Sequence, residues 1–254
     1  MHEHESTNLI DDDSLWLAAC LASESARPDR LLDDPYAAHL AGSRGARVFA
    51  ARPASQRALA VAVAVAIVDE LVLRVVVDHH LHTVLHLPAG LDTRPYRLRL
   101  PNDLRWVEFD GEALVLYKGF RLAHAGPMCR VERVGVDLTD PRRRDGAIRR
   151  AARGVARGLL VMEHALERFG TDALQALEGR LPAGIKWWIL GLPDTTLRAN
   201  EALIAAICDA HWQVVDHRLL NEEARRLAPS RFARGFSSPS ATDFGVAWVL
   251  RRVA

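Results

Sequence analysis

The residues in this chain best placed to do chemistry begin with Pro88-Ala89-Gly90. They follow the short apolar run Thr83-Val84-Leu85-His86-Leu87 and precede Asp92 and Arg94. The run reads as a strand buried on both faces. A glycine directly after such a strand lets the backbone turn sharply and approach a ligand, because it has no Cβ. In open α/β sheets the crevice beyond the carboxyl ends of the strands is where nucleotides bind. The next strand-like run, Arg105-Trp106-Val107-Glu108-Phe109-Asp110, ends in an acid. A carboxylate there can accept from both hydroxyls of a ribose. Together the glycine turn and the acid make the minimal grip on an adenosine-containing cofactor.

The elements that must hold these residues alternate between strand and helix. Asp11-Asp12-Asp13-Ser14 offers a helix cap with acids at the positive end. Leu31 to Tyr36 reads as a second helix start with Pro35 in its first turn, and Gly42 to Pro53 as a loop. Ser55 to Asp78 is predicted as one long helix, although the Ala/Val alternation of Val61 to Val68 would also suit a strand. Strands are expected at Val131–Val136, Gly158–Met162, Ile185–Leu190 and Trp212–His217, with a last, antiparallel one from Phe244. Between them lie helices at Gly111–Arg121, after a Thr139 or Asp140 cap with Pro141 in the first turn, at Thr171–Leu181 with Thr171 as cap, and at Asn200–Ala210 and Asn221–Leu227. Met1 to Asn8 is expected to be disordered and Ser237 to Thr242 to be a loop. Such alternation implies an α/β fold, a mostly parallel twisted sheet with helices on both faces.

Composition bounds the rest. The chain of 254 residues suits a single α/β domain, 1–254, with helices over 1–54 as a lid on a core over 55–254. Its 49% hydrophobic and 26% charged residues are those of a soluble globular protein, and a net charge of +1 gives no steering towards nucleic acid or membrane. The basic run from Arg142 to Arg157 puts Arg149, Arg153 and Arg157 on one helical face and reads as a solvated surface, with no interleaved aromatics. Cys20, Cys129 and Cys208 are far apart, which suggests buried thiols in a reducing, cytoplasmic compartment. The polar N-terminus shows no signal peptide, and the apolar stretch Ala58–Val68 is too short to span a bilayer. His79, His80 and His82 cluster without an acid or Cys spaced to complete a site, so no metal is expected.

Four stretches resemble a known family. They are Ser14-Leu15-Trp16-Leu17 onward to Ala38, Ala89-Gly90-Leu91-Asp92-Thr93-Arg94, Trp106-Val107-Glu108-Phe109-Asp110, and Val136-Asp137-Leu138. The chain resembles the class I S-adenosylmethionine-dependent methyltransferases, specifically the leucine carboxyl methyltransferase-like group and its bacterial small-molecule branch. The resemblance implies a Rossmann-like fold and S-adenosylmethionine as cofactor. It places the methionine part against Pro88, Ala89 and Gly90, the ribose on Asp110, and the adenine between Asp137 and Leu138. The alternative role of Asp137 is a helix cap. Three departures stand out. Pro88 replaces a small residue and lacks an N–H. Ala64 stands where the family has an arginine that pairs with the cofactor carboxylate. The position after Glu163 is His164, and Arg168 replaces a tyrosine. These predict weak or vestigial cofactor binding unless Arg57, Arg74 or Arg94 has moved into the clamp. A salt bridge to Asp92 or to an N-terminal acid is the other reading of Arg94.

Two catalytic functions follow, and a binding or accessory protein with no catalysis is a third reading. One is an O-methyltransferase acting on a carboxylate or hydroxyl of a small molecule in secondary metabolism, with His164 or Glu163 as base. The other is a methyltransferase fold that no longer methylates and cyclises a polyketide-like or polyene substrate, with His164, Glu163 and Arg168 polarising it. Both imply a small-molecule partner, no nucleic acid and no membrane, and leave a homodimer open.

Overall fold

Alternation of apolar side chains along short runs builds one sheet whose two faces are both covered. The computed structural model describes residues 10–52, 55–193, 197–209, 211–235 and 245–253. Met1–Asn8, Ser237–Thr242 and the expected strand start at Phe244 lie outside them. The strands are β1 (Thr83–His86), β2 (Arg105–Asp110), β3 (Arg130–Gly135), β4 (Gly158–Met162), β5 (Ile185–Leu192), β6 (Trp212–Leu219) and β7 (Val246–Arg252). Their order in the sheet is β3-β2-β1-β4-β5-β7-β6. Strands β1 to β5 pair in parallel, and β7 runs antiparallel to both β5 and β6. The predicted parallel sheet with an antiparallel last strand is therefore the observed one.

Period-two alternation sorts the side chains. Val84, Trp106, Leu159, Val161 and Ile189 face the core under α3 (Ser55–Asp78), which contributes Leu59, Val63, Ile67, Leu71 and Val75. Leu85, Val107, Phe109, Leu160, Met162 and Trp188 face the opposite core with α6 (Pro141–Ala151), α8 (Thr171–Glu178) and α9 (Leu197–Cys208). The remaining helices are α1 (Asp12–Ser25), α2 (Ala37–Ala51), α4 (Arg94–Arg97), α5 (Glu112–Arg121), α7 (Ala165–Phe169), α10 (Leu220–Leu227) and α11 (Pro229–Gly235). No helix among the described residues is long and apolar enough to cross a membrane. The Ala/Val alternation in α3 is helical because its buried residues recur at helical spacing, not every second position.

Several local expectations are corrected. Gly42–Pro53 does not form a loop: most of it lies in α2, which is interrupted only where Gly42 takes φ 58°. Gly45 is there because a Cβ would stand 2.9 Å from the Leu15 carbonyl oxygen, so its absence lets α1 and α2 cross closely. The helix start read at Leu31–Tyr36 falls one residue later: α2 begins at Ala37, with Asp34 Oδ1 accepting from the Tyr36 and Ala37 N–H groups. Thr171 is not the cap of α8, which Gly170 precedes at φ 77°. Arg153 and Arg157 share no helical face with Arg149, since α6 ends at Ala151. The α6 cap is Asp140, which accepts from the Arg142 and Arg143 N–H groups with Pro141 in the first turn.

The N-terminal helices sit beside the turn that follows β1. Leu15, Leu40 and Ala41 pack with Leu91, Tyr96, Leu114 and Tyr117. Tyr117 donates to the Leu40 carbonyl at 2.7 Å, and Glu24 pairs with Arg231 at 2.6 Å.

Candidate functional site

The sheet reverses its winding between β1 and β4, which leaves a crevice beyond their carboxyl ends. The Pro88-Ala89-Gly90 turn lies at that crevice. The Ala89 N–H donates to the Phe109 carbonyl at 3.0 Å, which ties the turn to β2. Gly90 takes φ 51°, and a Cβ built on it meets nothing within 4 Å. Asp110 stands at the end of β2 and is 3% exposed. Its Oδ2 accepts from the Gly90 N–H at 2.9 Å and its Oδ1 from the Gly111 N–H at 2.8 Å. The turn and the acid that the sequence paired are thus hydrogen-bonded to each other. Arg168 adds a guanidinium 3.5 Å from Asp110 Oδ1.

Asp137 follows the end of β3 and is exposed. Its Oδ1 accepts from the Thr139 N–H at 3.0 Å and from the Thr139 hydroxyl at 2.6 Å. Those hydrogen bonds hold its carboxyl below the usual range. Leu138 is 2% exposed and packs into the core with Ala147 and Ile148 rather than lining an open face. An open cleft of about 410 Å³ lies here, lined by Gly135, Val136, Asp137, Arg142, Arg143 and Arg150.

Beneath the turn lies an ion network that no spacing in the sequence reveals. Arg94 is fully buried. Its Nε donates to Asp69 Oδ1 at 2.6 Å, its Nη1 lies 2.7 Å from Asp92 Oδ2 and also binds Glu163 Oε2, and its Nη2 donates to Glu163 Oε1 at 3.3 Å. Arg97 pairs with both oxygens of Asp69 and donates from Nε to Thr93 at 3.1 Å. The Thr93 hydroxyl donates to Asp34 at 2.6 Å, which links the network to the chain before α2. Burial alone would raise Asp92, but the guanidinium of Arg94, with smaller help from His86 and Arg97, holds it well below the usual carboxylate range. Asp34, Asp69, Asp92 and Glu163 outnumber Arg94 and Arg97, so the network carries excess negative charge.

Of the residues expected to act chemically, Glu163 is brought to the turn through Arg94, and Arg168 is brought to Asp110. His164 is exposed at the start of α7 in a left-handed conformation, φ 56°, which for a residue with a Cβ costs about 1–3 kcal/mol and is found at functional sites. None of the three arginines proposed as a replacement clamp is plainly available. Arg94 is enclosed by three carboxylates, Arg74 pairs with Asp216, and Arg57 is exposed at the start of α3. Arg94 does bond Asp92, as its alternative reading held. Ala64 is half-buried against the core. Missed altogether was His86, which is 2% exposed at the end of β1 beside Asp92 and Glu163. The signals were an aspartate inside an apolar helix and a histidine inside an apolar strand. His79, by contrast, stacks on Trp187 at 4.1 Å, and His82 lies 3.4 Å from Asp103.

The family model described as leucine carboxyl methyltransferase matches residues 14–151, a little over half of the chain. A protein of Saccharopolyspora erythraea, assigned as an S-adenosyl-L-methionine-dependent methyltransferase, is 33% identical over 136 residues, 50% of this chain and 47% of that protein. One of Mycobacteroides abscessus with the same assignment is 31% identical over 138 residues, 50% of this chain and 44% of that protein. The chain thus spans about half the length of the curated relatives it matches. Among solved structures, a DUF574 family protein of Streptomyces avermitilis superposes with a TM-score of 0.57 at 15% identity, covering 92% of this chain and 100% of that one. A Thermobifida fusca protein assigned as a methyltransferase does so with a TM-score of 0.55 at 17% identity, covering 92% and 97%. These two are similar in fold. The matched segment, 14–151, holds the glycine turn, Asp110 and the Asp137 loop, and the chain belongs to the leucine carboxyl methyltransferase family, whose cofactor is S-adenosylmethionine.

Proposed function

We propose that the chain is an S-adenosylmethionine-dependent O-methyltransferase that acts on a carboxylate or hydroxyl of a small molecule in cytoplasmic secondary metabolism. The observation that carries this reading is the bond between Gly90 and Asp110 at the crevice of the sheet, since it preassembles an adenosine grip. The residues fit the adenosine half of the cofactor. A Cβ at Gly90 or Gly111 would meet nothing within 4 Å, and each Asp110 oxygen can accept further hydrogen bonds towards a ribose. When bound, the cofactor supplies a methyl group on a sulfonium for in-line displacement. The work of the chain is then to orient the two partners and exclude water. A carboxylate substrate needs no base; for a hydroxyl, His164 on the rim would take the proton.

A second reading, cyclisation without methylation, is favoured by one observation. The positions that could pair with a cofactor carboxylate hold Ala64 or the already enclosed Arg94. Turnover of an acidic or polyketide-like substrate with and without S-adenosylmethionine, followed by mass spectrometry, separates the two. Gain of one methyl group that depends strictly on the cofactor supports methyl transfer. Product of unchanged mass formed without it supports cyclisation and overturns the first reading.

A further inference from the structure

We propose that His86, Asp92 and Glu163 form a binding site for one divalent transition-metal ion. One ligand atom from each residue lies within 4.8 Å of the other two. Nitrogen and oxygen ligands bind such ions at about 2.0–2.2 Å, so atoms sharing one ion stand roughly 3–4 Å apart. Side-chain adjustments of an ångström or less would therefore close the site. The three residues come from different elements, the end of β1, the turn after it and the end of β4, so the grouping is a property of the fold.

A second, independent observation points to a ligand. His86 is 2% exposed, and its Nδ1 is buried with no hydrogen-bond partner. A buried imidazole nitrogen left unpaired is costly, and a bound ion is one way to satisfy it. The ring edge packs against Trp106 at 5.7 Å between centroids, which fixes its plane.

Arg94 does not close the site. Its backbone N–H and Nη1 hold Asp92, and its Nη1 and Nη2 hold Glu163, while each carboxylate oxygen keeps a second lone pair. A guanidinium in that place resembles the outer-shell partners that orient ligating carboxylates. The local charge also admits a cation, since Asp34, Asp69, Asp92 and Glu163 outnumber Arg94 and Arg97. One imidazole and two carboxylates suit Zn²⁺, Fe²⁺, Mn²⁺ or Co²⁺. They suit Cu⁺, which prefers sulfur, less well. The site does not depend on the methyl-transfer reading and is tested without cofactor or substrate.

The test uses the tag-free full chain after chelator treatment, titrated with Zn²⁺ by calorimetry and with Co²⁺ by visible absorption. One Zn²⁺ per chain is expected. The variants His86→Leu and Glu163→Gln should bind more weakly by at least the roughly 10- to 100-fold that loss of an outer-shell partner alone costs. A variant with His79, His80 and His82 all changed to Ala should bind as the wild type does. Absence of stoichiometric binding to the wild type overturns the proposal, as does binding that follows the three exposed-side histidines. Should His86→Leu fail to fold by circular dichroism, Glu163→Gln and the wild-type Co²⁺ complex decide. One paramagnetically shifted imidazole in the proton spectrum supports the site, and none or several overturn it.

Discussion

Replacing Arg94 by methionine keeps most of the side-chain volume and removes a charge that touches Asp69, Asp92 and Glu163. Arg94 is fully buried, and the side chains of its three partners are 11–13% exposed, so water can compensate little. Removing one partner of a buried ion pair costs about 3–5 kcal/mol, because the remaining charges stay desolvated. That is a large part of the roughly 5–15 kcal/mol by which domains are stable. For a chain of this size each kcal/mol lowers the melting temperature by about 2–4 °C, so a fall of roughly 6–20 °C is expected. The pH dependence has a definite sign. A carboxylate held low in the folded state contributes stability that is present above its unfolded pKa of about 4 and lost as the pH falls through the folded value. In the wild type, Asp92 keeps that contribution well into acid. In the variant, burial acts on Asp92 without Arg94, its pKa rises, and protonation relieves the unpaired charge. The deficit between variant and wild type is therefore largest at neutral pH and shrinks as the pH falls towards about 4–5. Urea unfolding at several pH values measures it. Arg168→Met is the control: its side chain is 45% exposed, and a pair of that kind is worth about 0–1 kcal/mol. A loss below about 1 kcal/mol for Arg94→Met at pH 7, or a deficit that grows in acid, would refute the reasoning.

Gly45→Val should destabilise the protein by about 1–3 kcal/mol, the usual cost of overpacking, because its Cβ meets the Leu15 carbonyl and Ala41 Cβ at 2.9 Å; thermal melting checks it. Burial pushes the Cys20 and Cys129 thiols up to about 12, so both should resist a thiol-specific disulfide reagent at pH 8 in the folded protein, while the partly exposed Cys208 reacts first.

The sheet was readable because its strands are short apolar runs closed by turn residues. The reading of Gly90 with Asp110 needed only the order of two adjacent elements, which local sequence supplies. Helix α2 was not readable. Gly42 and Gly45 are turn residues by local preference, yet Gly45 serves a close helix crossing that exists only once α1 is folded against it. The Arg94 network failed for the same reason at longer range. Asp69 lies 25 residues before Arg94 and Glu163 lies 69 after it, so no spacing pattern joins them. The sequence did carry a hint, since Asp69 and His86 interrupt otherwise apolar elements. Leu138 was assigned to adenine by resemblance, and its burial against α6 shows that the core also claims it.

Calorimetric titration with S-adenosylmethionine, comparing the wild type with Asp110→Ala, tests the central claim most directly. The account predicts saturable binding to the wild type at one site. It also predicts a loss of about 1–3 kcal/mol, roughly fivefold to 150-fold in Kd, for the variant, which leaves the ribose hydroxyls and the Gly90 and Gly111 N–H groups without their acceptor. Equal affinity for the two proteins, or no binding to a folded wild type, would contradict it.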